Sequence, residues 1–236
     1  MTNKRGISTV EMIVSFTIFF AFVVFIMAYL NPIKKDISSS LLDNLDAGMK
    51  KNAMSDLMEV PLITIEAPTN CISVDLNNPS FPLNISKGNF SVKALDNSII
   101  PHFRTTTGFL YIQNTADKLY RIIQSDEINI TNTAMSGVCG FPYTLSVERD
   151  ERIYSYKKLV GINSLYYGSY ASYTQLKQQL NYPITSDFAI VITNDEVNFS
   201  MMRNISSNTK VQVRRYPIQI LKNDVKEDAS MSLIVW

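Results

Sequence analysis

Residue types that could do chemistry are sparse in this chain. His102 is its one histidine, so the multi-histidine ligand sets of common zinc sites cannot be assembled. Following Pro101, it reads as a surface or loop histidine. Ser155-x-x-Lys158 and Ser207-x-x-Lys210 have the serine–lysine spacing that nucleophilic catalysis places on one helical turn. Both fall in segments that read as strand or loop. Asp43 and Asp46, before Gly48, lack the alternating oxygen ligands of a calcium loop, and there is no glycine-rich cradle for a phosphate. No active site, metal site or cofactor is expected, and the chain is not expected to be an enzyme.

Three other groups of residues remain. Cys71 and Cys139 are the only cysteines. In an oxidising compartment they would form one disulfide, and otherwise they are two buried thiols. Asn84, Asn89, Asn129, Asn198 and Asn204 each begin an Asn-x-Ser/Thr acceptor pattern. A chain rich in Asn, Ser and Thr produces several such tripeptides by chance, so export would permit glycosylation without requiring it. Tyr166, Tyr167, Tyr170 and Tyr173 crowd among Ser, Gly and Asn at 161–173. That composition suits a recognition loop of rigid amphipathic rings beside small donors. A tyrosine-rich connection packed over a sheet has the same composition.

Glu11 is the one charge inside an apolar run that extends from Ile7 to Leu30. As a helix the run would be about 36 Å long, enough for a bilayer core. It lacks the short core and small-residue cleavage site of a secretory signal. A carboxylate within a span is costly, on the order of 2.5–3.5 kcal/mol. Either Glu11 snorkels to the headgroups or it awaits a cationic partner. Lys4 and Arg5 before the run balance Lys34 and Lys35 after it, so charge alone does not orient the chain.

Lys4-Arg5-Gly6, then Ile7-Ser8-Thr9-Val10-Glu11, then the apolar run resembles the leader and mature N-terminus of type IV pilin-like proteins, with a lean towards their archaeal forms. The resemblance covers about the first 60 residues. It implies a prepilin whose class III signal peptide, residues 1–6, is removed between Gly6 and Ile7 by a prepilin peptidase. It also implies that Glu11 then pairs with the freed amine of Ile7 on a neighbouring subunit. Other pilin-like subunits, a membrane assembly platform and, before assembly, the lipid bilayer would be the partners. The implied localisation is a single-pass membrane protein with a short cytoplasmic N-terminus and an extracytoplasmic head, carried into a cell-surface filament. The alternative is a single-pass, signal-anchored ectodomain that binds a ligand and never assembles.

The elements that must position these residues follow from periodicity. Residues 7–30 form the apolar assembly helix, with a kink expected near Pro32. Over 33–60, Ile33, Ile37, Leu41, Leu45, Met49, Ala53 and Leu57 recur every four residues, predicting an amphipathic stem that bends at Gly48 and ends at Pro61. Residues 61–236 read as a β-rich head. Strands are predicted at 90–95, 109–113, 119–124, 187–193, 197–202, 211–221 and 231–236, with a turn at 223–228. A hairpin is expected between 143–147 and 153–160, and one helix at 173–180. Pro217 predicts an edge or bulge. The expected fold class is therefore α+β, a long N-terminal helix carrying a mostly antiparallel head. Aromatics at 11% exclude disorder, and a net charge of +1 without basic clusters argues against a nucleic-acid partner.

Overall fold

The computed structural model describes residues 9–29, 37–64, 71–79, 81, 83, 89–115, 118–129, 133, 139–140, 143–195 and 197–236. Within them the protein is mostly β, with thirteen strands and four separate helices. This corrects the expected architecture of one long helix carrying a head. Helix α1, Thr9–Tyr29, and helix α2, Ile37–Ala53, are distinct elements, and the expected kink at Pro32 lies outside the described residues.

Helix α2 is also shorter than the predicted stem. It ends at Ala53, and strand β1, Met54–Thr64, begins at the next residue. Leu57 fits both a helical row and a strand, and tertiary pairing decides between them. β1 is held on one side by β9, Arg149–Ser155, and on the other by β6, Leu119–Ser125. These ladders outweigh local helix propensity. Gly48 does not mark a bend. A Cβ there would stand 2.2 Å from the Leu180 carbonyl oxygen, so glycine allows the α2 backbone to touch the segment after α4, Tyr170–Gln179.

A nine-stranded sheet runs in the order β11, β10, β13, β12, β9, β1, β6, β3, with the short β8, Tyr143–Leu145, paired to β1. Here β3 is Asn89–Ala94, β10 is Phe188–Thr193, β11 is Asn198–Met201, β12 is Gln212–Lys222 and β13 is Val225–Val235. Pro217 sits opposite Ser230 of β13, while β9 meets β12 only at Ile220 and Leu221. The proline thus faces a side with no ladder to donate to, which is locally an edge. A second, four-stranded sheet has the order β4, β5, β2, β7, built from His102–Arg104, Phe109–Gln113, Cys71–Asp75 and Cys139–Gly140. Apart from β12–β9 and β2–β7, the strand pairs among the described residues are antiparallel.

The predicted hairpin between 143–147 and 153–160 is not formed. Both β8 and β9 pair with β1, and residues from Tyr156 onward begin helix α3, Tyr156–Tyr167. Ser155 starts that helix by accepting a hydrogen bond from Lys158 N at 3.1 Å. Where one helix was expected at 173–180, α3 and α4 form a helical pair.

The core divides accordingly. Leu45 and Met49 of α2, Leu159 of α3 and Leu176 of α4 close over Phe188, Ile190, Met231 and Leu233, all fully buried. A second cluster is built from Val60, Leu62, Val74, Val92, Leu110, Ile112 and Ile122. Leu57, Ile123, Ile128, Ile153 and Leu221 form a third, smaller cluster.

No helix among the described residues is long and apolar enough to cross a membrane. The single-pass anchor, the membrane-bound prepilin form and the localisation implied by the leader are therefore not supported.

Candidate assembly surface

Helix α1 presents apolar side chains in all directions. Val10, Met12, Phe16, Ile18 and Phe25 are all more than half exposed. Only Val23 and Ile26 are intermediate. Phe16 and Phe20, one turn apart, stack with ring centroids 6.3 Å apart. The hydroxyl of Thr17 is satisfied within the helix, donating to the Ile13 carbonyl at 2.8 Å. Apolar surface this continuous marks an interaction face. Glu11 lies in the first turn and is exposed. An acidic group there complements the positive end of the helix dipole. Gly6 and Ile7, the predicted cleavage pair, lie outside the described residues.

Helix α2 connects this N-terminal part of the chain to the head. Its apolar side, Leu42, Leu45, Met49 and Ala53, is buried in the larger core. Its polar side is tied to β12, where Arg214 donates to Asp43 at 2.8 Å and the Tyr216 hydroxyl donates to Asp46 at 2.5 Å. Asn52 Nδ2 donates to the carbonyls of Gly48 and Gln179, each at 2.8 Å. Asp43 and Asp46 thus join helix to sheet, Gly48 lies against Leu180, and the three form no ion site.

Cys71 and Cys139 form a disulfide. They face one another across the parallel β2–β7 pair with Cα atoms 4.6 Å apart. Asn84 lies outside the described residues. Asn89 donates from Nδ2 to the Ile128 carbonyl at 2.8 Å, so a glycan there would cost that bond. Asn129, Asn198 and Asn204 are exposed, and Asn129 donates to Asn223 at 3.3 Å.

The four tyrosines do not form a loop. Tyr166 and Tyr173 are buried on the facing helices α3 and α4, their rings edge-on with centroids 5.2 Å apart. Tyr166 donates to the Phe188 carbonyl at 2.8 Å, and Tyr173 donates to Asp187 at 3.1 Å. Arg203 and Lys177 lie over the Tyr173 ring, 3.8 and 4.6 Å from its centroid. Burial raises the pKa of both phenols above the ordinary tyrosine value. Tyr167 donates to the Ser200 carbonyl, which leaves Tyr170 at 78% exposure as the ring most open to a partner. The four-residue recognition surface reduces to one or two exposed rings.

His102 is buried in β4, its ring nitrogens 2.9 Å from the Ile100 carbonyl and 3.2 Å from that of Phe90. It ties strands together and is not a surface histidine. Ser155 and Lys158 do share a helical turn, contrary to expectation, but the lysine points elsewhere. Its Nζ donates to the Met54 carbonyl at 2.8 Å and lies 3.4 Å from Asp126. Ser155 Oγ instead donates to Glu127, a buried carboxyl that also accepts from Lys157 N at 3.0 Å. Desolvation raises the Glu127 pKa, against the lowering effect of these bonds. This clamp at the start of α3 was missed because Glu127 and Ser155 are 28 residues apart. Ser207 and Lys210 are exposed near a turn.

Among the described residues no three His, Cys, Asp or Glu side chains are grouped to hold a metal ion. Comparison with protein-family models, curated proteins and solved structures gives no match.

Proposed function

We propose that this chain is a structural subunit of a type IV pilin-like extracellular filament. In this reading α1 packs against the same helix of neighbouring subunits, copies of this chain or other pilin-like proteins. The head then decorates the filament surface. The observation that carries the reading is α1 itself, a helix with apolar side chains exposed in all directions. Such a helix requires an apolar surrounding, and a bundle of like helices supplies one. The leader-like residues add a polarity to the assembly. A peptidase cut between Gly6 and Ile7 would free an amine at the start of the helix, within reach of Glu11 on a neighbour. In the dry interior of a bundle, two such charges are tolerable only together.

Mass spectrometry of the N-terminus in cells that assemble filaments tests the reading. The expected mature terminus is Ile7, and Glu11→Gln is expected to reduce incorporation by about tenfold or more with the head still folded. A mature chain that still begins at Met1 or Thr2, or a Glu11→Gln chain that assembles normally, would sink it.

A further inference from the structure

The head holds a cavity of about 310 Å³, lined by both charged and apolar side chains, between the face of strands β3, β6, β1 and β9 and the β12–β13 turn. That turn is set by Asn223, whose positive φ of 60° suits asparagine. Lys93 and Arg121 face the cavity and stand directly opposite each other in the β3–β6 register. Like charges at such positions repel, so something must compensate them.

Lys93 is compensated. It is 4% exposed, donates to the Asp224 main-chain carbonyl, and lies 3.6 Å from that residue's carboxylate. The other acids nearby are also engaged. Lys226 lies 3.0 Å from Glu59 and also contacts Glu151, while Arg149 lies 3.2 Å from Glu151. Arg121 has no carboxylate partner among the described residues. Its Nη2 donates to the Asn97 side-chain oxygen, and its Nε is buried without any hydrogen-bond partner. A half-buried guanidinium beside a buried ammonium, with one neutral acceptor, is an unmet charge.

The remaining wall is apolar, formed by Leu57, Ile123 and Leu221. The volume lies at the small end of ligand pockets, which span about 300–1,000 Å³. We propose that this cavity binds a small carboxylate of monosaccharide size, such as a sugar acid. The carboxylate sits on the Arg121 guanidinium after a small rotation of that group, and the carbon face lies on Leu57, Ile123 and Leu221. Arginine suits this role because its planar fork matches a carboxylate. A monoanion fits better than a phosphate dianion. One cation lacks a carboxylate partner among the described residues, whereas Glu59, Glu151 and Asp224 would repel a second negative charge. The Arg149 side chain, 70% exposed at the rim, can move aside for entry. Neither α1 nor filament assembly enters this site, so it stands or falls independently of them.

Calorimetric titration of the full-length chain, kept in solution with mild detergent, tests the proposal with D-glucuronate, glucose and inorganic phosphate as probes. Saturable binding of glucuronate, absent for glucose, is expected. Arg121→Gln should weaken it by about tenfold or more, whereas Arg152→Gln, an exposed residue outside the cavity, should leave it unchanged. If Arg121→Gln does not fold, the Arg121 Nε–H resonance of the native chain must shift on adding glucuronate. No glucuronate binding, equal binding of glucose, no effect of Arg121→Gln in a folded chain, or an unmoved Nε–H resonance would overturn the site. Tighter binding of phosphate than of glucuronate would overturn the carboxylate assignment.

Discussion

In the half of the head built on β10 to β13, helices α2, α3 and α4 bring Leu45, Met49, Leu159 and Leu176 down onto one side of a sheet. In the half built on β2 to β6, the buried apolar residues belong to strands and the segments between them, and a disulfide crosses the smaller sheet. Both halves bury their apolar side chains almost completely. They differ in what keeps the layers together. A helix covering a sheet supplies many interlocking side-chain contacts, and here they also close long stretches of chain: Asp43 meets Arg214 and Asn52 meets Gln179, 171 and 127 residues apart. The strand-built half closes shorter stretches and has no covering helix, and there the covalent link joins Cys71 to Cys139 across 68 residues. The comparison therefore separates two modes of stabilisation, close packing in one half and restriction of the unfolded chain in the other.

The largest break in the packed half is expected at Gly48. Alanine there would place a carbon 2.2 Å from the Leu180 carbonyl oxygen and 2.8 Å from its Cα. Main chain cannot yield as a side-chain tip can, so α2 must lift from the sheet. Gly48→Ala should cost on the order of 5 kcal/mol or prevent folding, in the exceptional class for a single substitution. Urea denaturation measures this. A loss below about 1 kcal/mol would show that α2 is not pressed against the rest of the core.

In the strand-built half the corresponding change is Cys71→Ser with Cys139→Ser. The disulfide spans 68 residues of sequence. Chain entropy alone assigns about 4 kcal/mol to closing such a loop, and removal is expected to lose about 2–4 kcal/mol. Hydrogen exchange should loosen β2, β5 and β7 first, with α3 and α4 still protected. Equal loosening of both halves would mean that the two cores unfold as one unit.

How much of this was legible in the sequence follows from the range of the deciding interaction. Strands at 109–113 and 119–124 were found because alternation is local, and the turn near Asn223 is a local preference as well. The end of α2 was misplaced because Leu57 satisfies two periodicities, and only pairing with β9 selects one. Residues 156–160 were read as strand because Val and Tyr suit strands, yet Ser155 caps a helix whose start is fixed by Glu127 from far up the chain. Two cysteines allow only one intramolecular pair, but whether Cys71 and Cys139 form it depends on the compartment, which the sequence leaves open. The carboxylate cavity had no comparable cue. Lys93 opposite Arg121 is a fact of register, and register between 93 and 121 is set by the whole sheet.

The smallest of the three effects separates the halves by pH. Tyr154, Tyr166, Tyr173 and Tyr182 lie in the helix-covered core, and burial raises the pKa of each phenol, that of Tyr154 to about 12. A phenol that keeps its proton when folded, but loses it near pH 10 when unfolded, makes the unfolded state bind fewer protons above that pH. The associated stability is complete below about pH 10 and declines as pH rises towards the folded value. For Tyr154 the loss is on the order of 2 kcal/mol by pH 12. Its buried hydroxyl adjoins that of Tyr216, which is itself committed to Asp46, so Tyr154→Phe removes a titrating group at the cost of that one hydroxyl contact. The variant should match or slightly exceed the native chain at pH 8 and outlast it at pH 11. Tyrosinate absorbance and protease cleavage mapping across that range test both statements. Cleavage that begins in β2 or β5 at high pH, ahead of α3 and α4, would show that tyrosine burial does not set the alkaline limit. A Tyr154→Phe chain as alkali-sensitive as the native one would remove Tyr154 from that account and leave the other three phenols to carry it.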